Sequence, residues 1–254
     1  MNIDTSLIEK LKNAQHLVIL TGAGISAESG IPTFRENDKT GLWDGYSTEE
    51  LCTEKGFIQN PALVWGWYEW RRHTALRAQP NAGHQIIAKL SDVLPKVTLM
   101  TQNVDNLHER AGSQNVLRFH GNIHNARCIN PHCFHPYQHP EITTFLDELK
   151  EIVPPKCEKC GDWVRPSVVF YGEKPNHKAL NDAKQAIKEC DLMFIIGTSS
   201  VVSPVNLLSK LAIEREITTV QINPTETVLD TEITFDLKGK AGDVLTELYN
   251  AAFG

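Results

Sequence analysis

Residues 17–30 have the sequence LVILTGAGISAESG, which predicts a strand followed by a tight turn and a helix. Their apolar, partly β-branched start predicts a buried strand, and Gly22, Ala23 and Gly24 follow at once as the start of a Gly-x-Gly-x-x-Ala turn. Glycines in such a turn let backbone N–H groups approach the pyrophosphate of a dinucleotide at a helix N-terminus. A plain glycine-containing turn is the alternative. No second strand ending in Asp or Glu follows about 20 residues later, which disfavours an ordinary dehydrogenase.

Further apolar runs recur along the chain, at residues 97–101, 116–119, 192–196, 218–222 and, more weakly, 233–236, with helical spacing between them. This alternation predicts an α/β fold with a doubly wound parallel sheet, that is, a Rossmann-like domain. Two long stretches interrupt the rhythm and are predicted to be insertions that build a smaller domain. The predicted Rossmann-like domain comprises residues 1–30, 81–120 and 165–254, and the predicted smaller domain comprises residues 31–80 and 121–164.

Composition narrows the class of protein. With 254 residues, of which 41% are hydrophobic and 22% charged, the chain has enough apolar residues for a sizeable core and is predicted to be globular. The net charge of −6 argues against the uniformly basic surface of a general nucleic-acid binder. No apolar run approaches the ~20 residues needed to cross a bilayer, and the first residues do not resemble a secretory signal. We therefore expect a cytoplasmic protein that binds neither membranes nor nucleic acid directly.

Four of the six cysteines form two close pairs, as in structural zinc sites. Four thiolates would give a closed tetrahedral site with no open position, hence structural zinc. Four buried free thiols are the alternative, and a zinc ribbon that binds nucleic acid is a competing function, although the segment has few clustered basic residues. The predicted ligands are Cys128, Cys133, Cys157 and Cys160; neighbouring His132, His135 and His139 leave a mixed ligand set open.

Polar side chains follow two of the predicted strands. Gln102, Asn103 and Asp105 come directly after the strand at residues 97–101, where the ligand crevice of an open α/β sheet lies. As the alternative, Asp105 or Asn106 would only cap the next helix. His120 ends the strand at residues 116–119, and an imidazole there can accept a proton from a hydroxyl, although a lone histidine is more often structural.

Two side chains that follow the glycine turn are predicted to belong to a loop that closes over a bound ligand. Phe34 and Arg35 would cover a bound dinucleotide, with the planar guanidinium donating in pairs to phosphate. A solvated loop with one buried phenylalanine is the alternative for these two residues.

Taken together, the motifs resemble those of the sirtuins. They occur in the family's order and span residues 17 to about 245, nearly the whole chain. The gap between the first two cysteines is wider than usual in the family, and residues 36–40 make the loop after the glycine turn long and polar. The matching segments are residues 22–35, residues 101–108, His120 with Gly121, the two cysteine pairs, residues 165–173 and residues 197–201.

The resemblance implies a Rossmann-like domain, a smaller zinc-containing domain, and NAD-consuming removal of acyl groups from protein lysines, which yields nicotinamide and O-acyl-ADP-ribose. It makes His120 the general base. It also makes Asn103, with Asp105, responsible for holding nicotinamide. The implied cofactor-binding residues are Gly22, Ala23, Gly24, Phe34, Arg35, Gln102, Asn103 and Asp105, with Gly197, Thr198, Ser199, Asn223 and Ala241 at the adenosine half.

The resemblance also implies where the acylated protein binds. Val168, Val169 and Phe170 would run along the cleft, where a substrate peptide adds as an extended strand. Tyr68 and Arg71 stand at i and i+3 on one predicted helix face, and a hydroxyl beside a guanidinium would recognise the carboxylate of a succinyl or malonyl group. This Tyr-x-x-Arg pattern looks like the marker of the class III sirtuins. An internal strand and an ordinary amphipathic helix are the respective alternatives.

Three other functions use the same residues. An NAD glycohydrolase would let water intercept the sugar, a mono-ADP-ribosyltransferase would leave ADP-ribose on a protein, and an NAD sensor or zinc interaction module would bind without reacting. The presence of His120 and Asn103 argues against the non-catalytic alternative.

Overall fold

The computed structural model describes residues 3–33 and 45–254. None of the helices in these two segments is long and apolar enough to cross a membrane. The strands are β1 (Leu17–Thr21), β2 (Val97–Thr101), β3 (Leu117–Arg118), β4 (Gly121–Cys128), β5 (Pro136–Tyr137), β6 (Val164–Val168), β7 (Leu192–Ile196), β8 (Thr218–Asn223) and β9 (Phe235–Lys238). The helices are α1 (Thr5–Asn13), α2 (Gly24–Ala27), α3 (Thr48–Leu51), α4 (Glu54–Gln59), α5 (Pro61–Arg77), α6 (Ala82–Val93), α7 (Leu107–Arg110), α8 (His177–Glu189), α9 (Asn206–Glu214) and α10 (Ala241–Phe253).

The larger sheet is parallel, with the strand order β3-β2-β1-β7-β8-β9. Its central strands β1 and β7 are buried along their whole length, as expected for apolar runs covered on both faces. Helices α1, α6 and α10 pack on one face, and helices α8 and α9 pack on the other. The predicted doubly wound α/β fold is confirmed. The strand predicted at residues 116–119 is shorter, because β3 pairs with β2 through two residues only.

A second, antiparallel sheet has the order β5-β4-β6 and packs with helices α3, α4 and α5 around its own apolar core. The chain thus has the predicted smaller unit, built from the two stretches that interrupt the alternation of strands and helices. The proposed boundaries between the domains stay a prediction. The predicted boundary between residues 164 and 165 falls inside β6, and this strand pairs with β4 of the smaller sheet.

Candidate active site

A cleft of about 810 Å³ lies where the carboxyl ends of β1, β2 and β7 face the smaller sheet and helix α5. Its size suits a ligand larger than a simple metabolite. Most of the residues selected from the sequence line it. They are Gly22, Ala23, Gly24, Tyr68, Arg71, Gln102, Asn103, Asp105, His120, Val168, Val169, Phe170, Gly197, Thr198, Ser199 and Asn223.

The glycine turn after β1 lies against the turn after β7. The Gly22 N–H donates to the Ile196 carbonyl at 2.9 Å, and the Gly24 N–H donates to the Gly197 carbonyl at 2.8 Å. A Cβ on Gly24 would come within 2.7 Å of the Gly197 backbone, so no side chain fits there. Gly197 itself has a φ of +61°, which favours glycine. The two turns therefore form a backbone cradle of the kind that receives a pyrophosphate.

The polar residues after β2 form one hydrogen-bonded group. The Ser26 hydroxyl donates to Asp105 Oδ2 at 2.9 Å and accepts from Asn103 Nδ2 at 3.2 Å. Asp105 Oδ1 also accepts from the N–H of Leu107, the first residue of α7, at 3.1 Å, although the N-cap position of that helix is Asn106. The role of Asp105 in binding stays a prediction. Asn103 and Asp105 are buried at the cleft wall. Buried, mutually fixed amide and carboxylate groups are suited to holding a carboxamide in one orientation.

The turn after β7 is fixed by two side chains, one directly after β2 and one at the end of β8. Gln102 Nε2 donates to Thr198 Oγ1 at 2.9 Å, and Asn223 Nδ2 donates to the Thr198 carbonyl at 3.1 Å. Ser199 is exposed in the same cleft. Ala241 is different: the first residue of α10 is buried in the main core and is not among the cleft-lining residues in the described segments. Its contact with the adenosine half stays a prediction.

The hydrogen bond made by the His120 ring indicates which of its two nitrogens carries the proton. Its Nδ1 lies 3.0 Å from the Gln102 carbonyl oxygen, which can only accept, so Nδ1 carries the proton and Nε2 keeps its lone pair. Burial lowers the pKa of His120 below its ordinary value, although the hydrogen bond to Gln102 opposes this shift. The side chain is thus neutral at pH 7, with an acceptor nitrogen at the cleft. This is the form that a general base requires.

The segment after β6 is held beside His120 by the ion pair of the buried Arg165 with the half-buried Glu173. The Val169 N–H donates to the His120 carbonyl at 2.9 Å. Arg165 Nη2 donates to the Val168 carbonyl at 3.0 Å and to Glu173 Oε2 at 3.1 Å, and Glu173 Oε2 accepts from the Phe170 N–H at 2.8 Å. Val168 still pairs with β4, so the predicted extended run is partly an internal strand.

Tyr68 and Arg71 form the far wall of the cleft, on helix α5. Both are buried, and the Arg71 guanidinium lies 4.6 Å from the centroid of the Trp67 ring. Burial raises the pKa of Tyr68 well above its ordinary value, so the hydroxyl stays a donor at neutral pH. The nearby Cys52 thiol also lines the cleft, and burial raises its pKa to about 11. A neutral hydroxyl and a guanidinium are the donors that a carboxylate prefers.

The four predicted cysteines converge. All four Sγ atoms lie within 4.8 Å of one another, with Cys128 and Cys160 at 3.4 Å and Cys133 and Cys157 at 3.8 Å. Zn–S bonds of about 2.3 Å in a tetrahedron separate sulfurs by about 3.8 Å, so the cluster fits one zinc ion. Within the described residues, this is the only cluster of three or more potential metal ligands. His139 instead packs on Trp65, which favours the four-cysteine set over the mixed one.

Several cleft residues were not selected from the sequence. Ser26 was read only as part of the glycine motif, although its hydroxyl joins Asn103 to Asp105. Cys52 gave no signal, because nothing in its spacing places it opposite helix α5. Arg165 is not among the cleft-lining residues of the described segments but fixes the Val168 carbonyl, and a buried arginine eight residues from a glutamate is a weak signal in a sequence. Phe34 and Arg35 lie outside the described residues.

Comparisons with known proteins agree with this geometry. The model of the Sir2 family matches residues 22–204. An NAD-dependent protein deacylase of Methylococcus capsulatus is 47% identical over 252 residues, which cover 99% of this chain and 98% of that relative. A mutant Sir2 homologue in complex with ADP-ribose superposes with a TM-score of 0.88 at 41% identity, over 98% of this chain and 96% of that one. A Sir2 structure with a p53 peptide and NAD+ gives a TM-score of 0.82 at 28% identity, over 98% of each chain.

The family match extends over the features described above. Its 22–204 span includes the glycine turn, the polar group after β2, His120 and the four cysteines. The relative and both structures cover almost the whole chain, so the similarity is not confined to one motif. The chain belongs to the Sir2 family.

Proposed function

We propose that the protein is an NAD-dependent protein-lysine deacylase. One observation carries the proposal: a neutral imidazole with an accepting Nε2 lines the same cleft as the glycine cradle and the Asn103 group. A dinucleotide laid across the cradle would bring its nicotinamide ribose to His120. The relative named as an NAD-dependent protein deacylase and the structure with ADP-ribose support this assignment.

NAD supplies an electrophilic ribose carbon, from which nicotinamide leaves when the acyl-lysine oxygen attacks. In this proposal the glycine cradle holds the pyrophosphate, and Thr198, Ser199 and Asn223 flank the adenosine half. Asn103 and Asp105 hold the carboxamide of nicotinamide, and Ser26 fixes both of them. A neutral amide is a weak nucleophile, so much of the acceleration must come from fixing the two reactants in contact.

His120 then acts at a ribose hydroxyl. Its Nε2 accepts the hydroxyl proton, while the Gln102 carbonyl holds the Nδ1–H and keeps the ring in one orientation. The hydroxyl oxygen attacks the carbon of the imidate formed in the first step, and the C–N bond to lysine breaks, so that lysine leaves as a free amine. One water molecule is consumed as the remaining cyclic cation opens, which gives O-acyl-ADP-ribose.

The acylated protein binds beside the nucleotide. Its backbone pairs with residues 168–170, whose carbonyl and N–H groups are oriented by Arg165 and Glu173. The acyl chain points toward Tyr68 and Arg71. Because these two donors are buried in a largely apolar wall, we propose that succinyl and malonyl groups are removed in addition to acetyl groups.

Zinc has a structural role in this proposal. Cys128, Cys133, Cys157 and Cys160 would hold one ion, with no position left for substrate. The cluster connects the start and the end of the long segment between β4 and β6. We further propose that the protein acts in the cytoplasm and binds no nucleic acid, consistent with its net charge of −6.

The test is a single assay. The purified protein is incubated with NAD and with acetyl-, succinyl- or malonyl-lysine peptides, and mass spectrometry follows the peptide and the sugar product. We expect deacylated peptide and O-acyl-ADP-ribose in equal amounts. Nicotinamide release without peptide would indicate a glycohydrolase, ADP-ribose on the peptide would indicate a transferase, and unchanged NAD would indicate a binding module.

A further inference from the structure

Two faces of helix α5 contact different parts of the protein. Tyr68, Arg71 and Ala75 form the face that lines the cleft, and Trp70 and Thr74 reach the cleft from the flank of the helix. Residues two positions away along a helix lie about 200° around its axis, so Gly66, Glu69 and His73 point in nearly the opposite direction. With Ala62 and Arg77 they form one stripe along the back of the helix.

The segment at residues 146–152, here called the strap, runs along that stripe. At the C-terminal end of α5, the Leu146 N–H donates to His73 Nδ1 at 2.9 Å, and Arg77 donates to the Leu146 carbonyl at 3.1 Å. At the N-terminal end, the Ile152 N–H donates to the Ala62 carbonyl at 3.0 Å. The strap is therefore fixed to the helix at both ends, antiparallel to it.

Gly66 marks the closest approach between strap and helix. A Cβ at this position would lie 1.9 Å from the Lys150 carbonyl oxygen, whereas real Cβ atoms stay at 3.0 Å or more. The helical backbone does not need a glycine here, and glycine weakens a helix interior. The residue is thus explained by the passage of the strap, which would have to retreat by about 1 Å to admit any side chain.

A buried polar group secures the middle of this face. Glu69 Oε2 accepts from Arg72 Nη2 at 2.7 Å, and Glu69 Oε1 accepts from Arg72 Nε at 3.1 Å and lies 3.4 Å from His139 Nδ1. All three side chains are 13% exposed or less. The charges of Glu69 and Arg72 compensate each other, so this group tolerates little displacement without leaving one of them unpaired.

From these contacts we infer that the strap positions the acyl-recognition face. By fixing the back of α5, it directs Tyr68 and Arg71 at the acyl chain and sets the preference for carboxylate-bearing over acetyl groups. The inference rests on the proposed function, because it takes the Tyr68 and Arg71 wall as the acyl site. An acetyl group has no carboxylate for Tyr68 and Arg71 to bind, so the removal of acetyl groups does not depend on how the strap places these two side chains.

The test is Gly66→Ala, assayed with succinyl- and acetyl-lysine versions of one peptide. We expect kcat/KM for the succinyl peptide to fall about tenfold, mainly through KM, because a shift of about 1 Å misplaces a fixed donor. The acetyl peptide and the KM for NAD should change by less than about twofold. Glu69→Gln keeps the shape of the side chain but removes the charge 4.0 Å from His73 Nε2, and His73 is the acceptor of the Leu146 N–H of the strap. It should change the same ratio in the same direction, and it decides the question if Gly66→Ala fails to fold.

Lys150→Ala is the matched control, because only the backbone of Lys150 meets Gly66 and its side chain is largely exposed. It should leave both activities unchanged. Equal losses for both peptides in Gly66→Ala or in Glu69→Gln would mean that the strap is only structural and would overturn the inference. A wild-type protein that removes acetyl but not succinyl groups would instead refute the acyl assignment, and this inference with it.

Discussion

The two ends of the cleft are built in different ways. The nucleotide end consists of the turns that follow β1, β2 and β7, whose last residues lie side by side in the sheet. Its main contacts are made by backbone groups, such as the Gly24 N–H that donates to the Gly197 carbonyl. The acyl end consists of side chains on one helix, held by a strap about 80 residues away in sequence. Local sequence and sheet topology thus specify the first end, and long-range packing specifies the second. Substitutions at the two ends should therefore affect different kinetic parameters.

The largest effect is expected at the base that both substrates share. His120→Ala removes the only acceptor that we assign to the ribose hydroxyl, so deacylation should fall by about 10²–10⁴-fold for acetyl and succinyl peptides alike. NAD binding, measured by calorimetry, should persist because the glycine cradle is intact. His177→Ala, at an exposed position, is the control and should be fully active. Near-normal turnover by His120→Ala would remove the assignment of the base.

The second-largest effect is expected from a substitution in the glycine turn, which should impair the nucleotide end of the cleft and leave the acyl end unchanged. Gly24→Ala places a methyl group within 2.7 Å of the Gly197 backbone, which the cradle can admit only by opening. We expect the KM for NAD to rise by roughly a hundredfold, since overpacking costs about 1–3 kcal/mol and also displaces the donors. The ratio of succinyl to acetyl activity should stay constant. Gly66→Ala should show the reverse pattern, and a pair of variants with the same pattern would contradict the division of the cleft.

Most of the nucleotide end could be predicted from the sequence, because local sequence and sheet topology specify it. The glycine turn, Gln102, Asn103 and His120 could be predicted because they follow recognisable strands, and the carboxyl ends of parallel strands meet in one place. The four cysteines were predictable because zinc requires a short spacing within each pair. Ser26 escaped selection because its role depends on which strand lies beside β1.

The acyl end was predicted only in part. Tyr68 and Arg71 were found because helical spacing puts both on one face. No pattern indicated that Cys52 would lie opposite them, or that residues 146–152 would cross behind them. Gly66 carried the signal of a close backbone approach, but a glycine inside a helix does not reveal which segment approaches it.

A third variant tests whether Arg71 at the acyl end recognises the carboxylate of the acyl group. Arg71→Met keeps the length of the side chain and removes its charge, so the succinyl carboxylate loses its ionic partner. Desuccinylation should fall at least about tenfold, as expected when a hydrogen bond to a charged group worth about 1.5–3 kcal/mol is lost. Deacetylation should change much less. Arg215→Met, at an exposed position, controls for the general loss of an arginine, and equal losses for both acyl groups in Arg71→Met would count against carboxylate recognition.

The smallest expected effect is the dependence on pH, and it tests whether the two ends titrate separately. Only neutral His120 can accept a proton, so activity is present above its pKa in the folded protein and is lost as the pH falls through that value. Burial lowers this pKa from 6.5, so at pH 6.5 the value of kcat/KM should still exceed half of its plateau, a change of less than about twofold. Acetyl and succinyl peptides should share this acid limb. Burial lowers the pKa of Arg71, but a guanidinium stays charged in this range, and Tyr68 stays protonated because burial raises its pKa. Profiles measured between pH 5.5 and 8 check this directly. A midpoint above 6.5 for both peptides would contradict the environment assigned to His120, whereas a limb seen with the succinyl peptide alone would place a titrating group at the acyl end.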